Sequence, residues 1–172
     1  MEITEYTHLK DLKKIQIKKF DDNRGSFMAF PNFSDLLQVA AAQLNLSISQ
    51  KGVLRGMHHQ VTKPQGKLVT CIKGGVLDLV FDNRKDSPTY GNGDVFFLSS
   101  PTDYLLVPRG YLHGFISLEN NSIFQYYVDE EYVPSDEETV SWKIMDKFVD
   151  WDFLENLGIT KENLIISEKD NI

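Results

Sequence analysis

Apolar residues in this chain fall in short runs rich in Val, Ile, Phe and Tyr. Gly, Pro, Asn and Asp separate them at intervals of about 8–12 residues, the pattern of a β-sandwich or barrel. The runs predict strands over Lys14–Phe20, Gly25–Phe30, Leu44–Ser49, Val53–Gln60, Lys67–Lys73, Val76–Asp82, Asp94–Leu98, Tyr104–Val107, Gly114–Ser117 and Ser122–Val128. Turn residues sit between them: Lys73-Gly74-Gly75, Asn92-Gly93 and Ser99-Ser100-Pro101-Thr102. Helical spacing is clear only over Ser34–Gln43, where Ser34 suits the cap, Asp35 the first turn, and Leu36, Leu37 and Ala40 one face. Past Ser135 the pattern is ambiguous, because helical propensity around Asp136–Lys147 competes with β-branched and aromatic residues. So many short strands leave edges to protect, and a double-sheet jelly roll does so while leaving a mouth where inward side chains converge.

The 172 residues, 41% of them hydrophobic, are enough for one core, and neither a linker nor an internal repeat divides the chain. A single domain over residues 1–172 is expected. The formal charge of -7 excludes a general nucleic-acid binder. That charge is concentrated in residues 129–138, DEEYVPSDEE, with six acidic residues and no basic one, a stretch expected to face solvent. Residues 51–85 reverse the sign, with seven Lys or Arg against Asp78 and Asp82, which suits a small anionic ligand. The lone Cys71 lies in an apolar run, no stretch approaches a membrane span of about 20 residues, and the N-terminus is polar. A cytoplasmic protein without membrane attachment is expected.

Four groups carry candidate chemistry. In GVLRGMHHQ (52–60), Arg55, His58, His59 and Gln60 are expensive to bury on a dry core strand, so the choice is a wet cavity or an exposed edge. Strict alternation sends Arg55 and His58 to opposite faces, and a bulge at Gly56 would bring them together. His113, among Gly110 and Gly114, reads alone as a structural histidine, and Tyr126 as core packing with its hydroxyl at a rim. The tail Ser167-Glu168-Lys169-Asp170 reads by default as a solvated terminus. Pro108-x-Gly110-x-x-His113 has the spacing of a metal-cupin second motif, but His58 and His59 are adjacent and no Glu lies between Phe30 and Leu118, so a metal is not expected. The residue types suit metal-free proton abstraction beside a carbonyl: His58 as base, Tyr126 as acid, and Lys67 or Arg55 for the developing charge.

Together these segments resemble the dTDP-4-dehydrorhamnose 3,5-epimerase family. They run from Asp22-x-Arg24-Gly25-x-Phe27 through Gln43-x-Asn45-x-Ser47-x-Ser49, Gly52–His58 and Pro64–Val69. They continue as Asp82-x-Arg84-x-Asp86-Ser87-Pro88-Thr89-Tyr90-Gly91, Gly110-x-x-His113-Gly114-Phe115, Tyr132-x-Pro134 and Ser167-Glu168-Lys169-Asp170. The resemblance implies a mainly β, cupin-type double-stranded β-helix (jelly roll) with short peripheral helices, assembled as a homodimer. It implies a nucleotide-diphosphate sugar as substrate, no cofactor, and epimerisation at C3 and C5 of a 4-keto-6-deoxy sugar. His58 would be the base, Asp170 its partner that raises its basicity, Tyr126 the opposite acid and Lys67 the enolate's cation. Arg55 and His113 would line the sugar site, and Arg24, Gln43 and Asn45 would hold the nucleotide diphosphate. A single-centre epimerase, a sugar 3,4-ketoisomerase and an inactive binding module are the alternatives. The chain departs from the family pattern at Ala29 (usually Glu), at Leu46 and Ile48 (a commonly polar pair) and at His59 (usually aromatic), and its 142–164 segment looks longer.

Overall fold

A computed structural model describes residues 1–172 apart from Gln38 and Val39. The strands, in chain order, are β1 (Glu2–Glu5), β2 (Lys13–Gln16), β3 (Lys19–Asp22), β4 (Gly25–Met28), β5 (Gln43–Ser49), β6 (Val53–Gln60) and β7 (Lys67–Lys73). They continue as β8 (Val76–Asp82), β9 (Gly93–Leu98), β10 (Asp103–Val107), β11 (Tyr111–Ser117), β12 (Ser122–Val128), β13 (Glu137–Thr139) and β14 (Ile165–Ile166). One sheet has the order β1-β2-β10-β7-β12-β5, the other β13-β6-β11-β8-β9, and β3 and β4 form a separate hairpin. β14 runs parallel to β6, along the same edge as β13 but further toward its start.

The two sheets form a jelly roll, and side-chain alternation decides what lies between them. Val69, Cys71, Leu105, Val107 and Phe124 of the first sheet meet Val76, Val80, Phe96, Leu98 and Phe115 of the second in the central core. The opposite face of the second sheet, with Leu54, Leu77, Leu79 and Ile116, is covered by the C-terminal segment through Trp142, Met145, Val149, Leu154 and Ile159. Both faces of β8 are therefore buried, which is why its sequence is apolar almost throughout. Trp142 and Trp151 meet edge to face in this outer layer, ring centroids 5.8 Å apart. Among the described residues no helix is long and apolar enough to cross a membrane.

Four expected strands, those at Val53, Lys67, Val76 and Ser122, have the observed bounds. The run Lys14–Phe20 instead divides into β2 and β3, since the chain leaves the first sheet after Ile17 to enter the hairpin. β11 begins at Tyr111, and Gly114 lies within it. The expected helix Ser34–Gln43 is the short α1 (Phe33–Leu37), and Gln43 opens β5. The cap is Asn32, whose Oδ1 accepts the Ser34 N–H at 3.1 Å, and not Ser34; Gln38 and Val39 lie outside the described residues. The ambiguous region after Ser135 holds β13, three 3-10 turns, α2 (Trp151–Asn156) and β14. Asp150 caps α2 by accepting the Phe153 N–H at 3.0 Å.

The expected bulge is present. His113 faces His58 while Phe115 faces Arg55, so two steps along β11 match three along β6. Gly56 takes φ 116°, and a Cβ there would stand 2.6 Å from the Gly114 Cα. Two glycines are required because the two backbones approach this closely.

Candidate active site

A cavity of about 360 Å³ opens between the sheets, lined by residues that include Asn45, Arg55, His58, Lys67, His113 and Tyr126. The bulge turns Arg55 and His58 of β6 into the same space. β7 supplies Lys67 from its first position, β11 supplies His113, β12 supplies Tyr126, and β5 supplies Asn45.

The tail folds back into this cavity and is not a solvated terminus. Asp170 is buried, its Oδ1 lies 2.6 Å from His58 Nε2, and its Oδ2 accepts the Gly56 N–H at 3.2 Å. One carboxylate thus satisfies the bulge's backbone donor and orients the imidazole. Nε2 carries the proton it donates to Asp170, so Nδ1 is left as the basic nitrogen. Burial lowers the His58 pKa, and Asp170 and Glu137 offset that only in part. Asp170 does raise the basicity of His58, as expected of it, but desolvating the imidazolium outweighs the carboxylate and the net direction is down. The imidazole is accordingly neutral, and able to accept a proton, to a lower pH than an exposed histidine.

Burial also pulls the Lys67 ammonium down to about 8, against the favourable charges of Glu137 and Asp78. It pushes Tyr126 up, with Glu137 adding to the effect, so the phenol keeps its proton. His113 Nε2 pairs with fully buried Asp78 at 2.8 Å, and Asp78 Oδ1 has no hydrogen-bond partner among the described residues. Burial raises the Asp78 carboxyl, with His113 and Lys67 opposing it.

Other expected contacts differ. Arg24 sits on the β3–β4 hairpin, outside the cavity lining, with its side chain 86% exposed and paired to Asp22 at 2.7 Å. The Gln43 amide is occupied within the protein, donating to Asn45 Oδ1 at 2.6 Å and accepting the Tyr132 N–H at 3.0 Å. The acidic stretch 129–138 does not simply face solvent. The Asp129 side chain is covered and pairs with Arg109 at 2.8 Å, and Asp136 accepts from the backbone of Thr62 and Lys63. Glu137 lines the cavity 3.7 Å from His58 Nδ1 and pairs with Lys169. Burial pushes the Glu137 carboxyl up, but hydrogen bonds from Lys169 and Tyr132 win and leave it below the usual range. Tyr132 and Lys169 stood only inside motif segments with no role of their own, and Glu137 and Asp78 were not singled out at all. Asp78 alone had a local signal, as a lone carboxylate inside the apolar run VLDLVF.

The pattern described as dTDP-4-dehydrorhamnose 3,5-epimerase matches residues 6–172. The chain belongs to that family. One relative, the dTDP-4-dehydrorhamnose 3,5-epimerase of Methanothermobacter thermautotrophicus, is 39% identical over 161 residues, 91% of this chain and 84% of that one. Its counterpart from Salmonella typhimurium is 37% identical over 154 residues, 86% and 84% of the two chains. The crystal structure of the Elizabethkingia anophelis epimerase matches with a TM-score of 0.84 at 36% identity, covering 99% of this chain and 93% of that one. A Legionella pneumophila 3,5-epimerase in complex with dTDP-4-keto-L-rhamnose gives 0.84 at 32% identity, over 98% and 89%. The jelly roll is thus the cupin-type fold of these epimerases, and the cavity is the place in this family member where the acid, base and cation types converge.

Proposed function

We propose that this epimerase inverts C3 and C5 of a dTDP-linked 4-keto-6-deoxy sugar. The observation that carries the proposal is the convergence of a neutral, carboxylate-oriented imidazole, a protonated phenol and a buried ammonium on one cavity. His58 Nδ1 takes the proton from the carbon beside the C4 ketone, and the electron pair moves onto the C4 oxygen. Lys67 stabilises that enolate oxygen through its charge. Tyr126 returns a proton to the other face of the same carbon, and exchange with solvent resets both groups before the second centre. Each charge and proton in the sequence is carried by a side chain, so the chemistry calls for no cofactor. Arg55, His113 and Asn45 bind the sugar diphosphate.

We infer further that the enzyme works as a homodimer in the cytoplasm. β5 is an edge strand with polar residues inward, while Leu44, Leu46 and Ile48 are 51%, 57% and 58% exposed on its outer face. The β3–β4 hairpin is likewise exposed, Phe20 and Phe27 included, and a lone hairpin is at best marginal without a partner. In the dimer, the hairpin supplies Arg24 to the partner's cavity. The unpaired, buried Cys71 thiol suits a reducing compartment.

Incubation with dTDP-4-keto-6-deoxyglucose in heavy water, followed by NMR, tests the reaction. Deuterium at both C3 and C5 is expected. Deuterium at one carbon makes the enzyme a single-centre epimerase, and no exchange with any dTDP, CDP, GDP or UDP substrate sinks the catalytic reading.

A further inference from the structure

Three glutamines hold four consecutive backbone residues between β12 and β13. Gln65 Nε2 donates to the Glu130 carbonyl at 2.8 Å, and Gln43 Oε1 accepts the Tyr132 N–H at 3.0 Å. Gln60 holds the residues between and beyond: its Nε2 donates to the Glu131 carbonyl at 3.2 Å and its Oε1 accepts the Val133 N–H at 2.6 Å. Gln60 also donates to the Lys63 carbonyl at 2.9 Å, so both ends of its amide are engaged. They come from three places, the start of β5, the end of β6 and the turn before β7. Gln60 and Gln65 are buried.

The backbone they fix carries side chains of the cavity. Tyr132 and Glu137 both line it, and the Glu137 carboxylate raises the pKa of the Tyr132 phenol. Glu137 stands directly opposite Gln60 in the β6–β13 ladder, 3.7 Å from His58 Nδ1. β13 is three residues long, and the segment before it is crowded with carboxylates that repel one another. Glu137 itself is anchored by the ladder with β6, by Lys169 and by the bonds of Asp136 to Val61, Thr62 and Lys63, and the glutamines hold the approach to it. Amides suit the task because they satisfy backbone donors and acceptors alike without adding charge beside the base, whereas Lys or Arg would bring a cation.

We propose that Gln60, together with Gln65 and Gln43, is a positioning residue for the epimerase reaction: through the backbone of 130–133 it holds Tyr132 and Glu137 against the cavity and so fixes the charge that His58 experiences. The proposal rests on the reading of His58 as the base. The titratable and charged groups that share the cavity with His58 are Asp170 and Lys169 from the tail, Glu137 from β13 and Tyr132 before it, Lys67 from β7, Tyr126 from β12, Arg55 and His59 from its own strand, and His113 across on β11 with Asp78 behind it. Of these, Tyr132 and Glu137 are the ones whose segment the glutamines hold. The negative charge of Glu137 favours the imidazolium, so releasing it lowers the pKa of His58 further.

Gln60→Leu and Gln65→Ala, with Glu137→Gln as reference, test this on the ligand-free protein. Amide hydrogen exchange over 130–137 is expected to speed up by about tenfold or more in Gln60→Leu, and NMR titration of His58 to move down, in the same direction as in Glu137→Gln. With dTDP-4-keto-6-deoxyglucose, the acid limb of kcat/KM follows it. Unchanged exchange, or an unchanged His58 titration in a folded variant, overturns the proposal. So does lower turnover with an unmoved pH profile, which is the mark of a purely structural role. Gln65→Ala removes a single bond, and if Gln60→Leu does not fold, it decides alone by the same two readouts. A wild-type protein inactive on every sugar nucleotide would fail the functional reading while the titration still judged the clamp.

Discussion

Burial lowers the pKa of both His58 and Lys67, and in each the direction has a kinetic consequence. Asp170→Asn removes the carboxylate that favours the imidazolium, so the acid limb of kcat/KM moves to lower pH. Loss of orientation lowers kcat by about 10²–10⁴-fold in the same variant; a pH–rate profile measures both effects, and a limb moving upward would contradict the assignment. At the other limb, activity that needs the Lys67 ammonium declines as pH rises through about 8. The same shift bears on stability. The unfolded chain holds this proton more tightly than the folded one, so the penalty is complete below about pH 8 and is relieved as pH rises toward 10.5. Lys67→Met therefore raises stability at pH 7, by on the order of 2 kcal/mol, while turnover falls by about 10²-fold or more. Urea unfolding beside a turnover assay checks the pair of outcomes.

Among the elements, β6 and β11 depend on two small residues. A Cβ on Gly114 would lie 2.6 Å from the Arg55 carbonyl and 2.9 Å from Met57 Sδ. Gly114→Ala is expected to destabilise by about 2 kcal/mol or more and to displace Arg55 and His58, seen as a lower unfolding midpoint and a loss of exchange into substrate. Ending the chain after Lys169 has the opposite profile, leaving the fold and removing turnover; normal turnover in that variant would take Asp170 out of the mechanism. Strands at this scale were legible wherever turn residues bounded an apolar run, as at Val53–Gln60 and Val76–Asp82. β1, β13 and β14 were not, being short and largely exposed or half-buried. The bulge was readable because Gly56 stood between two polar residues that alternation alone would have separated. Asp170 gave no local sign of burial, since its partner is 112 residues away in the chain. Glu137 was hidden by its neighbours: six carboxylates in ten residues offer nothing to tell the inward one from the rest.

In the whole molecule, the proposed homodimer rests on an exposed apolar strand face and on an Arg24 outside the cavity lining, and mixing experiments test it. Leu46→Glu with Ile48→Lys is expected to yield monomers by light scattering and to lose turnover. Combining inactive Arg24→Ala chains with inactive His58→Asn chains should restore about a quarter of wild-type activity, since half the dimers are mixed and each mixed dimer has one complete site. No recovery would place Arg24 outside catalysis or in its own chain's site.

The outer layer on the second sheet has a consequence for how this protein is watched. Its only two tryptophans, Trp142 and Trp151, meet there edge to face, across the sheet from the cavity. The same layer leads through β14 into the tail that delivers Asp170. Intrinsic fluorescence is therefore expected to report whether that layer is docked, since neither tryptophan lines the cavity. A variant with native emission and no activity has its fault in the chemistry; one with altered emission has failed to bring the tail home.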